Sequence, residues 1–498
     1  MITQEQKNAQ RKRTKKENTQ NENAKNEDAK DKRNKKGTVK KINNRNSILI
    51  IFLLFALVFI SLGTIYLIKD KDKKEPVTTE EPTTEKIIIK DFVGIKDTTF
   101  TANIDKYYSY GTSLCIDGSF TNSEFGETST ASLVLRQAYT FEDGSINETD
   151  LFEFPLIVST DENHITFSSY EHINTGIDLE KITLGEYCML LKITTNNVTT
   201  YGTLSAQGEN DAFTYYSITK NGTNNKIDLS FETFENTAYT SVNCVASTLP
   251  DDVYDIVIDP GHGGNDPGAI NGDYNERVMM LDYAIDLKAA LEAKGFKVLL
   301  TRDGSEGDDV WMAYTMYDED GRVNVASASK AKICLSLHLN SNEVALSQGG
   351  LQIYFSCRAN QASAEILAKN IINSSGTYPS PMSSFKVADG LYTRAFSAGD
   401  MADSRNYAIE KGMVPYDVAP NTDFYFMIRE LGGVATGAYI DGRNPDYGTN
   451  LYRDSLNGVE SFILELGFIS VDSDLNHLIE NKAQYVEGIV KGLLESLQ

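Results

Sequence analysis

Four side chains that can bind a metal ion or move a proton stand next to predicted secondary-structure elements. His262, His338 and Glu465 each follow directly on a short apolar segment with the pattern of a strand, and Glu276 opens a predicted helix just after the loop that holds His262. In an open α/β sheet, functional residues gather beyond the carboxyl ends of the strands. We therefore expect these four side chains to lie close together at one edge of a sheet.

Two imidazoles and one carboxylate, with a fourth position left for water, form the ligand set of a catalytic zinc site. Zinc lowers the pKa of bound water toward ~7 and polarises a carbonyl group. A further carboxylate then takes the proton of the water and returns it to the leaving amine. If His262, Glu276 and His338 bind the metal, Glu465 is left for the proton transfer. Spacing alone leaves a second interpretation open, in which the histidines have structural partners and Glu276 starts a helix favoured by the helix dipole.

The elements around these residues indicate an α/β domain over residues 253–498. Apolar segments alternate there with amphipathic helices, which predicts three layers around a largely parallel sheet. In the first helix Val278, Leu281, Ile285 and Leu291 repeat at helical spacing, and Gly295 follows as a terminating residue. The predicted strands are 255–258, 297–301, 333–337, 351–356 and 461–464, and the predicted helices are 276–294, 323–330, 362–372 and 483–497.

Five short segments of this domain carry a resemblance to a known family. They are IVIDPGHGGNDPGA, the Glu 14 residues after its His, TRD at 301–303, SLHLNS at 336–341 and ELGFIS at 465–470. Together, over about residues 255–498, they resemble the zinc-dependent N-acetylmuramoyl-L-alanine amidases, type 3, of bacterial cell walls. The resemblance implies one Zn²⁺ bound by His262, Glu276 and His338, with Glu465 as the catalytic carboxylate. It also implies the substrate, which is the amide between N-acetylmuramic acid and L-Ala of the peptidoglycan stem peptide.

The sequence departs from the family pattern at two places. Val471 stands where family members often have Asn, and residues 380–452 form a longer connection than expected. We interpret this insertion either as a segment that shapes the substrate site or as an occluding lid. Within it, Arg429 follows the strand-like segment 424–428 and could bind a peptide carboxylate or form a structural ion pair.

Two other polar residues near the motifs have less specific roles. Asn340 and Arg302 are expected to support the metal ligands or fix a loop rather than to take part in the reaction.

Residues 87–248 have short alternating apolar segments and many turn signals, which predict an all-β, sandwich-like domain. Its Tyr and Phe side chains could form a surface that stacks on carbohydrate, or could pack in the core and across strands. The sequence does not identify its ligand.

The N-terminal part of the chain predicts a membrane anchor. Residues 1–46 hold 15 Lys and Arg against 6 Asp and Glu, have no aromatic residue, and are predicted to form a disordered cytoplasmic arm. Residues 47–68 contain no charge and could span a bilayer as one helix of about 33 Å. A cleaved signal peptide is the alternative. The positive-inside rule places the domains after the linker 69–86 outside the cell, facing the wall.

The charge of the whole chain excludes one class of partner and leaves several functions open. A net charge of −23 argues against nucleic-acid binding. The expected partners are peptidoglycan and the lipid bilayer, and a regulatory protein partner stays open. Two alternative functions also stay open: a zinc peptidase that cuts within the stem peptide, and a wall-binding or scaffold protein that acts through the β domain.

Overall fold

A computed structural model of the chain describes residues 88–89, 94–123, 125–141, 145–161, 164–206, 213–220, 222–307, 321–342, 348–410, 422–433 and 455–497. Residues 86–498 form one compact unit. The predicted arm 1–46, the helix 47–68 and the linker 69–86 lie outside the described residues. Among the helices that are described, none is long and apolar enough to cross a membrane.

In the first part of the compact unit, the described residues between 88 and 247 form strands and one short 3₁₀ turn (Leu179–Lys181). The all-β prediction therefore agrees with the structure, while the sandwich form stays a prediction. The strands are β1 (Ile88–Ile89), β2 (Thr98–Tyr110), β3 (Ser113–Thr121), β4 (Thr130–Phe141), β5 (Ile146–Pro155), β6 (Ile157–Asp161), β7 (His164–Ser168), β8 (Ile177–Asp178), β9 (Gly185–Thr195), β10 (Val198–Ala206), β11 (Phe213–Tyr216), β12 (Asn224–Phe234) and β13 (Thr237–Ser247).

Strand β9 is the central strand of this β region. It pairs with β4 along one edge and with β13 and β10 along the other, and the main strand order is β11-β12-β13-β9-β10-β2-β3-β7-β6. Asn196-Asn197 connects β9 to β10 in a tight hairpin, and Glu235-Asn236 connects β12 to β13 in another. All four residues have the left-handed backbone conformation that two-residue turns need. Leu133, Leu135 and Leu191 lie in the buried core of the region.

The second part of the unit has the α/β composition that the sequence predicts. Its strands are β14 (Ile256–Pro260), β15 (Ile270–Asn271), β16 (Tyr274–Asn275), β17 (Val298–Leu300), β18 (Ile333–Asn340), β19 (Gln352–Tyr354), β20 (Lys386–Ala388), β21 (Leu391–Tyr392), β22 (Asn457–Gly458) and β23 (Glu460–Phe468). Its helices are α1 (Glu276–Glu292), α2 (Arg322–Ala328), α3 (Ala362–Ser375), α4 (Ala398–Glu410), α5 (Phe426–Arg429), α6 (Asp472–Glu480) and α7 (Lys482–Ser496).

Seven of these strands form one sheet in the order β17-β14-β18-β23-β19-β21-β20. The pairings β17-β14, β14-β18, β18-β23 and β19-β21 are parallel, which confirms a largely parallel sheet. The predicted strand ends were wrong at β18 and β23, because both strands continue past His338 and Glu465. The two strands pair through these residues, so His338 and Glu465 are direct neighbours inside the sheet.

Helices cover both faces of this sheet. On one face α1, α3 and α7 enclose the main core, and on the other α2 and α5 pack against a smaller apolar cluster. Helix α1 turns a different side to the core than its apolar spacing suggested. Val278 and Ile285 are exposed, and Met280, Ala284 and Leu287 are fully buried. The hydrophobic residues of α1 lie all round the helix, so their spacing alone could not identify the buried side.

The segment 424–428 was predicted as strand-like and is not a strand. Residues Phe426–Arg429 form the short helix α5, whose Met427 packs on the sheet. A run of five apolar residues fits a buried helical turn as well as a strand, and only the packing partner decides between them.

The β region and the α/β region share an extensive interface. The short strand β22, which directly precedes β23, pairs in parallel with the end of β2, so Ser109 lies opposite Asn457. The Asn174 side chain donates to the Asn360 carbonyl and to Glu460 at the start of β23. The strand that carries Glu465 therefore begins at the surface of the β region.

Candidate functional site

The side chains of His262, Glu276 and His338 meet at one point of the α/β region. His262 Nε2 lies 3.0 Å from Glu276 Oε2, and His338 Nδ1 lies 3.0 Å from Glu276 Oε1. One potential ligand atom from each residue falls within 4.8 Å of the other two. The structure thus brings together the three residues that the sequence predicted as metal ligands.

His262 reaches this point because the loop after β14 is tightly shaped. Its own backbone is left-handed, with φ +59°, and two glycines make room around it. A Cβ on Gly261 would lie 2.4 Å from the His338 ring, and one on Gly268 would lie within 3 Å of both His262 and Glu276. Only glycine fits at these two positions, which explains the glycine-rich motif in physical terms.

Glu276 is fixed by the start of helix α1. Asn275 caps the helix by accepting a hydrogen bond from the backbone of Val278. The Glu276 carboxylate accepts the backbone N–H groups of Ala269 and Leu339, at 3.0 and 2.8 Å, and the residue is 2% exposed. Its two oxygens are therefore held between the histidines before any ligand binds.

Two buried arginines hold the backbone of the His262 loop. Arg302 donates to the carbonyl oxygens of Pro260 and Gly261, and Arg322 donates to that of His262 and to the carboxylate of Asp259. Arg302 is therefore a loop-fixing residue, one of the roles that the sequence allowed.

Asp259 is itself fully buried below the loop and accepts hydrogen bonds from Thr301 and Ser336 as well. Burial would raise its pKa, but Arg322 and these hydroxyl groups keep the pKa of the carboxyl below its ordinary value. The anion anchors β14, the neighbouring strand β18 and the loop to one another.

The electrostatics of the three predicted ligands favour a bound cation. Burial opposes ionisation of Glu276, yet the hydrogen bonds with both histidines hold its pKa well below the usual range. Burial likewise opposes the charged form of His262, but Glu276 and Asp266 raise the pKa of this imidazole to about 9. In the absence of a metal, the anionic Glu276 thus draws a proton onto His262, in the place where a metal ion would bind.

Glu465 lies beside this cluster as the cross-strand neighbour of His338. Burial, with a smaller contribution from the charge of Glu276, raises the pKa of its carboxyl to about 7 against the opposing effects of His338 and His262. Its Oε2 atom is inaccessible to solvent and makes no hydrogen bond with any residue that the structure describes. A carboxyl group in this state can take up and release a proton near neutral pH.

Asp266 belongs to the site as well, and the sequence analysis did not single it out. Its Oδ2 lies 2.9 Å from His262 Nδ1, on the side of the ring opposite Glu276. A carboxylate in this position fixes the orientation of an imidazole ligand. The sequence did contain an indication of this role, since Asp266 is a carboxylate that follows His262 by four residues in the same loop. Arg322 gave no such signal, because it lies 60 residues away in the sequence.

The two remaining predicted residues lie in different surroundings. The Asn340 side chain donates to Gln352 Oε1 at 2.8 Å, and Gln352 is the other cross-strand neighbour of Glu465, so Asn340 supports the site at a distance. Arg429 is 3% exposed, and its guanidinium makes two 2.8 Å contacts with Glu430 Oε1. Arg429 thus forms an ion pair with Glu430, and its role in substrate binding stays a prediction.

Comparisons with known proteins agree with this site. Residues 256–401 match the family model described as N-acetylmuramoyl-L-alanine amidase. The chain is 34% identical over 116 residues to the N-acetylmuramoyl-L-alanine amidase LytC of Bacillus subtilis, covering 23% of this chain and 21% of LytC. It is 29% identical over 152 residues to the amidase AmiC of Neisseria meningitidis, covering 30% of this chain and 34% of AmiC. The matches thus span about a fifth and a third of these relatives.

A solved structure, the N-acetylmuramoyl-L-alanine amidase AmiC2 of Nostoc punctiforme, aligns with 50% of this chain and 98% of its own length, at 22% identity and a TM-score of 0.31. The family model includes the loop of His262, the start of α1 and the strand of His338, which are the three places where the candidate ligands arise. Residues 256–401 therefore match the N-acetylmuramoyl-L-alanine amidase family, type 3, over the part of the chain that carries the three candidate ligands.

Proposed function

We propose that this protein is a zinc-dependent peptidoglycan hydrolase that cleaves the amide between N-acetylmuramic acid and the L-Ala of the stem peptide. The observation that carries the proposal is the convergence of His262, Glu276 and His338 beside the partnerless carboxyl oxygen of Glu465. The match of residues 256–401 to the amidase family supports the substrate, and the site supports the reaction class.

The donor set fits zinc. Two imidazole nitrogens and a carboxylate oxygen are common ligands of catalytic zinc, and three protein ligands leave a position for water. His262, Glu276 and His338 would hold the zinc, which would supply an acidified water and polarise the scissile carbonyl. Asp266 orients the His262 ring through its 2.9 Å contact with Nδ1.

The proton transfers fall to Glu465. Because burial holds its pKa at about 7, the ionised carboxylate can accept the proton of the attacking water at neutral pH. The resulting carboxylic acid can then give the proton to the nitrogen of L-Ala, so that the amine leaves in neutral form.

The cellular setting is part of the proposal. The uncharged segment 47–68 would anchor the protein in the cell membrane, and residues 1–46 would lie in the cytoplasm. The α/β region would then face the wall, and the membrane tether would restrict cutting to the layer within reach.

The direct test is mass spectrometry of muropeptides released from purified cell walls by the full-length protein. Free stem peptides that begin with L-Ala would support the amidase reaction, provided that a chelator abolishes their release and added zinc restores it. Peptides that begin at a later residue would instead identify a stem-peptide peptidase. Bound zinc without any release would contradict the proposed substrate.

The Asp266→Ala variant should bind zinc about 10- to 100-fold more weakly, because the His262 ring loses the carboxylate that orients it. Competition with a fluorescent zinc chelator would measure this change. Asp273→Ala is the matched control, since Asp273 is an exposed residue that follows in the same connection. Unchanged zinc affinity in Asp266→Ala would contradict the orienting role.

The pH profile should reflect the ionisation of Glu465. Because the ionised form accepts the proton, kcat/KM should fall as the pH falls through the pKa of this carboxyl. That pKa is about 7 without a metal, and a nearby dication lowers it, so the acidic limb should have its midpoint at or below about 7. In Glu465→Asp the carboxyl group has a different position, so the midpoint of the acidic limb should shift. An unchanged midpoint would mean that another ionisable group causes the fall in kcat/KM.

A further inference from the structure

The β region carries a large groove on one face of its sheet. The groove has a volume of about 760 Å³, within the ~300–1,000 Å³ range of small-molecule pockets. Four adjacent strands, β12, β13, β9 and β4, supply its lining. It is therefore a feature of the sheet itself rather than a gap between loops.

The floor of the groove consists of cross-strand rows of polar side chains. One row is formed by Ser230, Ser241 and Cys188, which are direct neighbours on β12, β13 and β9. Small side chains in this row leave the space that gives the groove its depth. A second row runs through Asp228, Asn243 and Glu186, about two residues or ~7 Å away along the strands.

Several of these groups can still bind a ligand. The side chains of Ser241 and Asn243 are only partly exposed and have no hydrogen-bond partner among the residues that the structure describes. Tyr139 and Phe234 line the groove with partly exposed aromatic rings, whereas Tyr239 is buried and its hydroxyl donates to Glu232. Hydroxyl, amide and carboxylate groups beside aromatic rings can bond the hydroxyl and acetamido groups of sugars while the rings contact their apolar faces.

The charge of the groove limits the ligands that it can accept. Its lining has three carboxylates, Glu186, Asp228 and Glu232, and one guanidinium, that of Arg136. Asp228 already pairs with Lys226 at 2.7 Å. Arg136 is 4% exposed and already pairs with Asp97 and Asp150, at 2.7 and 2.8 Å. No cation of the lining is therefore available to neutralise an anionic ligand, and carboxylates or phosphates should be repelled.

We propose that this groove binds the glycan strand of peptidoglycan and that it prefers strands whose lactyl groups carry no charge. The inference rests on the proposed function, because amidase cleavage defines the two states of the glycan strand, uncut and cut. In an uncut strand the lactyl group of each muramic acid is an amide and carries no charge. Amidase cleavage turns it into a carboxylate, which the acidic groove repels.

Binding can be measured separately from cleavage. The full-length Glu465→Ala protein is titrated calorimetrically with neutral chitooligosaccharides and with glycan strands stripped of their peptides. The same strands, with their lactyl carboxylates converted to methylamides, are the matched neutral ligand. We expect the chitooligosaccharides and the methylamide strands to bind, and the carboxylate strands to bind about tenfold more weakly at low salt. This difference should disappear near 1 M salt, where screening is nearly complete.

Two variants locate the site. Ser241→Tyr fills the floor of the groove and should abolish glycan binding, whereas Ser159→Tyr on the exposed strand β6, at the far end of the strand order, should not. A variant with both isosteric substitutions, Glu186→Gln and Glu232→Gln, should still bind the neutral glycans. It should no longer bind the carboxylate strands more weakly than the neutral ones. Melting temperatures confirm that each variant is folded.

The outcomes of these titrations test glycan binding by the groove independently of the proposed catalytic function. Glycan binding that survives Ser241→Tyr, or no glycan binding at all, would overturn the proposal. Binding of oligolysine in place of glycan would overturn it too and would assign the groove to a cationic peptide. Equal binding of both strand types at low salt would overturn the charge preference. Failure of stem-peptide release by the wild-type protein concerns the catalytic site alone, because these titrations use an inactive chain.

Discussion

The Glu465→Gln variant is expected to lose stem-peptide release by about 10²- to 10⁴-fold in kcat while it keeps its zinc. Glutamine has the size of glutamate and keeps an oxygen in the buried position, but it cannot accept the proton of the attacking water. None of the three predicted ligands hydrogen-bonds to Glu465 in the structure, so the metal site should survive. Release rates from purified walls and the zinc content of the protein would measure the two parts of this prediction.

Glu460→Gln is the matched control for this experiment. Glu460 is the first residue of the same strand, and burial raises the pKa of its carboxyl to about 7 as well. It differs in being bonded by Asn174 at the interface of the two regions rather than facing the metal ligands. Glu460→Gln should therefore keep its rate within a few-fold. Similar losses in both variants, or a Glu465→Gln protein with more than a tenth of the wild-type rate, would show that Glu465 is not the proton acceptor.

The positions of the candidate ligands could be predicted because local patterns determine them. An apolar strand followed by a loop places His262 at the carboxyl edge of a parallel sheet, and the same rule applies to the strand of His338. The ends of β18 and β23 could not be predicted in the same way. These strands continue past His338 and Glu465 because each supplies hydrogen-bond partners to the other, and the sequence of one strand does not contain that information.

The supporting residues were harder to predict, for a related reason. Arg322 and Asp259 form a buried ion pair across 63 positions of sequence, and Arg322 also binds the carbonyl of His262. No local pattern distinguishes an arginine that will be buried from one that will stay in solvent. The contacts of Arg429 were open in the sequence for the same reason, and its ion pair with Glu430 is visible only in the structure.

The interface between the two regions was absent from the sequence analysis, and it joins the β region to the catalytic strands. Strand β18 begins directly after Lys332 and strand β23 begins at Glu460, and the backbone N–H of Glu460 donates to the Lys332 carbonyl. Both strands that carry candidate catalytic residues therefore start at the surface of the β region. We expect changes in this interface to act on the stability of the whole compact unit rather than on one domain.

Lys332→Met should stabilise the protein by about 3 kcal/mol at pH 7. Lys332 is 2% exposed, and its Nζ lies 5.3 Å from the Tyr215 ring centre without a hydrogen-bond partner among the described residues. Burial outweighs the attraction of Asp255 and Glu180 and lowers the pKa of the ammonium group from 10.5 to about 8, a drop that corresponds to about 3 kcal/mol. Methionine fills similar space and carries no charge.

The pH dependence of this effect distinguishes charge burial from a simple gain in packing. Between pH 8 and pH 10.5 the unfolded chain binds the proton of Lys332 and the folded chain does not, so the stability of the wild type rises with pH in this window. Below about pH 8 its deficit relative to Lys332→Met is complete, and near pH 10.5 the deficit should vanish. Denaturant unfolding of both proteins from pH 7 to pH 10.5 measures the difference. Lys330→Met, two positions earlier on the exposed surface, should show no such dependence. A constant difference at every pH would mean that packing, and not the buried charge, causes the stabilisation.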